Sequence, residues 1–228
     1  MLAFGQRALN KYIPQRRATE RWLRYDEPMK NLLLSGLLVA GFSLFCASGR
    51  ADPLNAGSEL YRDCAACHGK DGGGVADGTV PAIAGQPAEV IKRQLESFRS
   101  GARTDLRMQH FSNDDHLSGA EAVEAVSRYV AGLRRATPVA TGTGRDLSAG
   151  AAEFARACAA CHGARGQAIA SRGIPALAGQ HATYLERKML EAAAGRNSLS
   201  QSHRLSLARL SSDRVAAIAD WLSREPAP

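Results

Sequence analysis

Cys64-Ala65-Ala66-Cys67-His68-Gly69 recurs as Cys158-Ala159-Ala160-Cys161-His162-Gly163, 94 residues further on. A second hexad keeps the same offset of 94: Pro81-Ala82-Ile83-Ala84-Gly85-Gln86 returns as Pro175-Ala176-Leu177-Ala178-Gly179-Gln180. Leu117-Ser118 returns as Leu210-Ser211 at an offset of 93, and Trp221 answers Tyr129 at 92. Self-similarity at one steady period marks duplicated structural units. The 228-residue chain is therefore expected to hold two tandem domains, residues 52–134 and 149–228. A linker rich in Pro, Gly and Thr joins them over 135–148, loop-like in composition.

Within each repeat the apolar residues follow a helical period. Val90, Ile91, Leu95 and Phe98 form one stripe over 87–100, and Gly101 is a suitable stop. Val123, Val126, Tyr129, Val130 and Leu133 form another over 119–133, which the Ser118/Glu121 capping box would start. Tyr184, Leu185 and Met189, then Val215, Ile218, Trp221 and Leu222, repeat the pattern. Further helices are expected over 58–66 and 151–160, and no run alternates with period two, so the fold class is all-α. With 6% aromatic residues these stripes make a thin core, and small helical units with thin cores need a staple or a large bound group.

The cysteine motif supplies one. Cys-x-x-Cys-His is the attachment signature of c-type haem. Thiols three residues apart, one helical turn, reach the two vinyl groups of a porphyrin, and the adjoining imidazole is aimed at the iron. A disulfide would give no reason for the histidine, and a four-cysteine zinc site would ignore both histidines. Two covalent c-type haems are therefore expected, on Cys64 and Cys67 and on Cys158 and Cys161, with His68 and His162 as proximal iron ligands. Metal-bound histidines donate their second ring N–H to an acceptor. Pro81 and Pro175, 13 residues downstream, offer carbonyls for that role, or else only shape the loop.

The formal charge is +7, from 29 basic and 22 acidic residues. Eight of the basic and three of the acidic ones lie in residues 1–51, which leaves the rest at +2. Lys30, the apolar run Leu32–Phe45 and the small residues of Gly49-Arg50-Ala51 read as a signal peptide cleaved after Ala51, behind an N-terminal extension. Fourteen apolar residues span only ~21 Å as a helix, against ~30 Å of hydrocarbon, so an uncleaved anchor is the lesser reading. Export to the periplasm follows, an oxidising compartment. Cys46 follows bulky Phe45, where lipid attachment would need a small residue.

The chain resembles the two-haem cytochrome c4 family of tandem class I cytochrome c domains over nearly all of residues 53–223. Both Cys-x-x-Cys-His-Gly motifs carry the resemblance, with both Pro-x-x-Ala-Gly-Gln motifs, Arg103-Thr104-Asp105 and the Leu-Ser that opens each last helix. It implies a periplasmic electron carrier, soluble or loosely membrane-associated, often serving a terminal oxidase. It also implies a distal methionine seven residues before the Leu of Leu-Ser. At those positions stand His110 and His203. Bis-histidine ligation and a lowered reduction potential follow as the expectation. Met108 remains the rival to His110 in the first repeat, whereas no methionine follows Arg196 in the second. His181 and His116, each at a helix start, are expected to be surface or capping residues.

Residues 52–137 carry a net −2 and residues 138–228 a net +4, a dipole suited to orienting a redox partner. No basic cluster interleaved with aromatics remains, which disfavours nucleic acid. The expected partners are an electron donor and an acceptor, a terminal oxidase or a dehydrogenase among them, with membrane contact only peripheral or through the N-terminal segment. The expected role is electron transport without catalysis. The alternative is a haem oxidoreductase of thiosulfate or peroxide type, or its cytochrome subunit, which needs one labile distal site. A gas sensor would need five-coordinate iron.

Overall fold

The first repeat folds as α1 (Pro53–His68), α2 (Ala88–Arg99), α3 (Leu106–Ser112) and α4 (Gly119–Gly132). The second folds as α5 (Leu147–Ala157), α6 (Ala159–His162), α7 (Ala182–Ala193), α8 (Gln201–Leu207) and α9 (Ser212–Arg224). This computed structural model describes residues 53–196 and 201–228; the expected signal peptide and its cleavage after Ala51 lie outside the described residues. The described residues hold no strand, only an isolated bridge between Ile169 and Ile174, so the fold is all-α.

In each repeat the attachment helix crosses the last helix, α1 on α4 and α5 on α9, and α2 or α7 leans on the same last helix. A glycine permits each crossing. A Cβ on Gly57 would lie 2.7 Å from Tyr129 Cβ and closer still to the Ala125 carbonyl oxygen. A Cβ on Gly150 would lie 2.5 Å from the Ala217 carbonyl carbon. Tyr61, Ile91, Leu117, Val123, Val126 and Val130 fill the first core. Phe154, Leu185, Ile218, Ala219 and Leu222 fill the second. The stripes read from the sequence are thus the buried faces. Partly buried Leu95 and Tyr129, and likewise Met189 and Trp221, pack at their margins.

Three local details differ from the sequence reading. Ser118 stands at the N-cap of α4 but makes no side-chain cap, whereas Ser211 accepts from Arg214 N–H at 3.3 Å at the start of α9. The short helices α3 and α8 were not foreseen, because seven residues are too few to establish a period. The expected helix over 151–160 is interrupted at Cys158 (φ −122°, ψ −35°), which separates α5 from α6.

The two repeats belong to one compact unit and grip each other reciprocally. Gln86 Nε2 donates to the Ala176 carbonyl at 2.8 Å, and its Oε1 accepts from Ala176 N–H at 2.9 Å. Gln180 does the same to Ala82, at 2.8 and 3.0 Å. Each Pro-Ala-x-Ala-Gly-Gln motif therefore supplies both a clamp and the backbone that the other clamp holds. Arg187 donates to the Gly78 carbonyl at 2.6 Å, and Arg103 to the Tyr184 hydroxyl at 3.2 Å.

His181 corrects the sequence reading. It stands at the N-cap of α7, but it is fully buried and caps nothing. Ala140 N–H donates to its Nδ1 at 3.0 Å, so its Nε2–H donates to the Gly73 carbonyl at 2.8 Å. The ring fastens the inter-repeat segment to the loop after His68. Asp71 holds the start of that segment by accepting from Ala136 N–H (2.8 Å), Thr137 N–H (2.6 Å) and Thr137 Oγ1 (2.8 Å). Buried Asp220 holds its end by accepting from Gly142 N–H at 2.9 Å and Gly144 N–H at 2.6 Å.

Candidate haem sites

Both attachment motifs end a helix. Gly69 (φ +78°) and Gly163 (φ +76°) adopt backbone that side chains resist, and so stop the chain directly after the histidine. Their N–H groups donate back to Ala65 and Ala159 carbonyls at 3.0 and 2.8 Å. In both repeats the first cysteine is half-buried and the second exposed, and none of the four forms a disulfide. Burial, then the neighbouring Asp63, pushes the Cys64 thiol up to about 11. Burial, then Glu153, raises Cys158 likewise.

His68 is 7% exposed, and its Nδ1–H donates to the Pro81 carbonyl at 3.0 Å. Its backbone carbonyl accepts from Gly74 N–H at 2.9 Å. Burial lowers its pKa, while the Pro81 carbonyl works the other way. The ring is thus fixed in the tautomer that leaves Nε2 unprotonated, the form a metal ligand requires. His162 is also lowered, by burial first and then by His203. Its Nδ1 is buried without a hydrogen bond, although the Pro175 carbonyl still acts on the ring against that lowering.

The segments opposite these histidines differ. In the second repeat the His162 and His203 rings stand 5.9 Å apart at 70°. Two imidazoles that bind one metal from opposite sides, with bonds of about 2 Å, have ring centres roughly 6 Å apart. In the first repeat Asp105 caps α3 by accepting from Arg107 N–H at 3.1 Å and Met108 N–H at 3.2 Å. Met108 is half-buried, on the same face of α3 as fully buried Ser112 four residues on. His110 is exposed. Its Nε2 lies 3.3 Å from His116 Nε2, and His116 Nδ1 lies 3.3 Å from Asp63 Oδ2. Asp63 can only accept there, so the Nε2 atoms are tied to each other and His110 Nε2 is engaged.

These residues fit a covalent haem. Each repeat offers two thiols one turn apart and an adjoining imidazole, buried in the first repeat and half-buried in the second, and the second places the His203 ring 5.9 Å from it. The sequence reading missed Gln86 and Gln180 as clamps, although both lie in the repeated motif. It also missed Asp105 as the cap that positions Met108.

The cytochrome c family model matches residues 54–133 and 147–223. Cytochrome c4 of Pseudomonas aeruginosa is 32% identical over 201 residues, 85% of this chain and 98% of that protein. A thiosulfate dehydrogenase electron acceptor of Thiomonas intermedia is 32% identical over 222 residues, 90% of this chain and 95% of that protein. The crystal structure of reduced recombinant cytochrome c4 from Pseudomonas stutzeri shares the fold, with a TM-score of 0.66 at 23% identity over 77% of this chain and 100% of that one. With two matched domains and a Cys-x-x-Cys-His motif in each, carrying two covalent haems, the chain belongs to the cytochrome c family as a dihaem electron carrier of cytochrome c4 type.

Proposed function

We propose that this carrier works in the periplasm between redox proteins, with unequal axial ligation: His68 and Met108 in the first repeat, His162 and His203 in the second. The observation that carries the proposal is the opposed pair His162 and His203, 5.9 Å between ring centres. It supports a closed six-coordinate site, suited to electron transfer rather than substrate chemistry. In the first repeat His110 gives way to Met108, because the His110 Nε2 is engaged with His116 while Met108 lies on the inner face of α3.

Covalent haem supplies a one-electron iron couple at each site. The chain's own residues do the rest. Four cysteines anchor, His68 and His162 present Nε2, and Pro81 fixes the first ring's tautomer. A thioether ligand raises a haem potential relative to imidazole, so the first repeat carries the higher potential. Carbon monoxide tests this directly. The ferrous protein keeps its spectrum under the gas if both sites are closed, and rapid uptake by either haem would refute the proposal.

A more specific reading concerns the donor. The Thiomonas relative is an electron acceptor of thiosulfate dehydrogenase and aligns over 90% of this chain. A thiosulfate-oxidising dehydrogenase is therefore the donor we propose. The ferric protein should be reduced by thiosulfate only when such a dehydrogenase is added. Reduction by thiosulfate alone would make the chain an enzyme itself, and no reduction in either case would remove this donor. Export is supported by the apolar run Leu32–Phe45, and the secreted protein should begin at Asp52.

A further inference from the structure

The interface clamps touch more than the interface. Ala82 N–H and the Pro81 carbonyl are opposite ends of one planar peptide group. At the carbonyl end, Pro81 accepts from His68 Nδ1–H at 3.0 Å. At the amide end, Ala82 N–H donates to Gln180 Oε1 at 3.0 Å. Two hydrogen bonds therefore run in series from the second repeat, through a single peptide, to the histidine of the first. The amide half of the arrangement returns in the other direction. Ala176 N–H donates to Gln86 Oε1 at 2.9 Å, and the other end of that peptide is the Pro175 carbonyl, which faces His162.

Hydrogen bonds in series polarise one another, strengthening each by about 10–30%. An acceptor at the amide end draws negative charge onto the carbonyl oxygen. A stronger acceptor at Nδ1–H makes the imidazole a more basic ligand at its other nitrogen. A more basic ligand favours ferric over ferrous iron. The buried setting keeps the effect local: Ala82, Gln86, Ala176 and Gln180 are each at most 9% exposed.

We infer that Gln180 and Gln86 are positioning residues that set the reduction potential of the haem in the opposite repeat, each through one peptide group. This rests on the reading of His68 and His162 as axial ligands. Gln180 has the stronger hold, because the His68 bond to Pro81 is made whereas His162 Nδ1 has no hydrogen bond. His181, next to Gln180, grips the same loop at the Gly73 carbonyl. One repeat thus governs the electron affinity of its neighbour's centre.

The test uses the full chain with both haems, its two potentials resolved by spectroelectrochemistry. NMR signals of the two axial histidines assign each haem. Gln180→Met keeps the length and removes the acceptor. It should raise the first repeat's potential, shifting the reduced-to-oxidised ratio about threefold, ~28 mV for a one-electron couple, and leave the second unmoved. Gln86→Met should raise the second by less and leave the first unmoved. A plain structural clamp predicts otherwise, so shifts in the same repeat, equal shifts in both, or none would overturn the inference. If Gln180→Met does not yield dihaem protein, Gln180→Glu retains an oxygen at Ala82 N–H and should lower the first potential; an unchanged or raised value would overturn it. Low-spin wild-type haems with no crosswise shift would refute the relay alone. A high-spin wild type would refute the axial reading and the relay together.

Discussion

The helices α3 and α8 occupy equivalent places in the two repeats, and in the proposed ligation they offer different donors to the two irons. In α3 the Asp105 cap sets Met108 on the inner face and turns His110 outward to His116. In α8 the ring of His203 stands 5.9 Å from that of His162. The attachment helices, the glycine crossings and the glutamine clamps are shared. Duplication has kept what holds the two bodies together, while in the proposed ligation the distal donor differs between them. The scaffold depends on close backbone approach, which few residues permit, whereas a distal ligand needs only a donor atom at one point.

The largest expected effect tests the shared part. Gly57→Ala and Gly150→Ala each force a methyl group into a facing backbone carbonyl, and each should cost roughly 3 kcal/mol or more in denaturant unfolding. A loss below about 1 kcal/mol in either would break the equivalence of the two crossings. The next tests the divergent part. His203→Ala should leave one haem of the two open to carbon monoxide, whereas His110→Ala should leave both closed. Carbon monoxide uptake by the His110 variant would return that residue to the iron.

Smaller effects sharpen the contrast. Asp105→Ala removes a cap worth about 1 kcal/mol and should weaken the spectral signature of Met108 ligation without touching the second repeat. A weakened signature in the second repeat would show that the cap does not act locally. The smallest concerns the inter-repeat latch. Burial opposes ionisation of Asp71, but hydrogen bonds from Thr137, Gly73 and Ala136 outweigh it and hold the carboxyl below its ordinary range. A folded value below the unfolded one means stability that is complete above about pH 3.9 and lost as pH falls further. Asp71→Asn should flatten the acid limb of a stability profile in that window; an unchanged limb would remove the latch.

Much of this was legible in the sequence. The 94-residue offset gave the duplication, and the stripe Val123, Val126 and Val130 gave the buried face of α4. Cys-x-x-Cys-His-Gly marked the attachment points because the motif is local and its chemistry demands fixed spacing. The inner face of α3 was not legible. Counting back from Leu-Ser gives His110; its contact with His116, 3.3 Å between the Nε2 atoms, is what favours Met108 in the proposal, and that contact depends on three-dimensional placement. The fate of His181 was hidden for a similar reason, since its partners Gly73 and Ala140 are 108 and 41 residues away. The glutamines were visible as a repeat, yet nothing local to Gln86 or Gln180 says that each binds the other's motif.

The central claim is that two similar repeats hold chemically different iron sites. Low-temperature magnetic circular dichroism of the fully loaded ferric protein tests it most directly. The account predicts two low-spin centres in equal amount: one with the charge-transfer band of thioether ligation, from Met108, and one with the band of paired imidazoles, from His162 and His203. Two identical centres, of either kind, would contradict it.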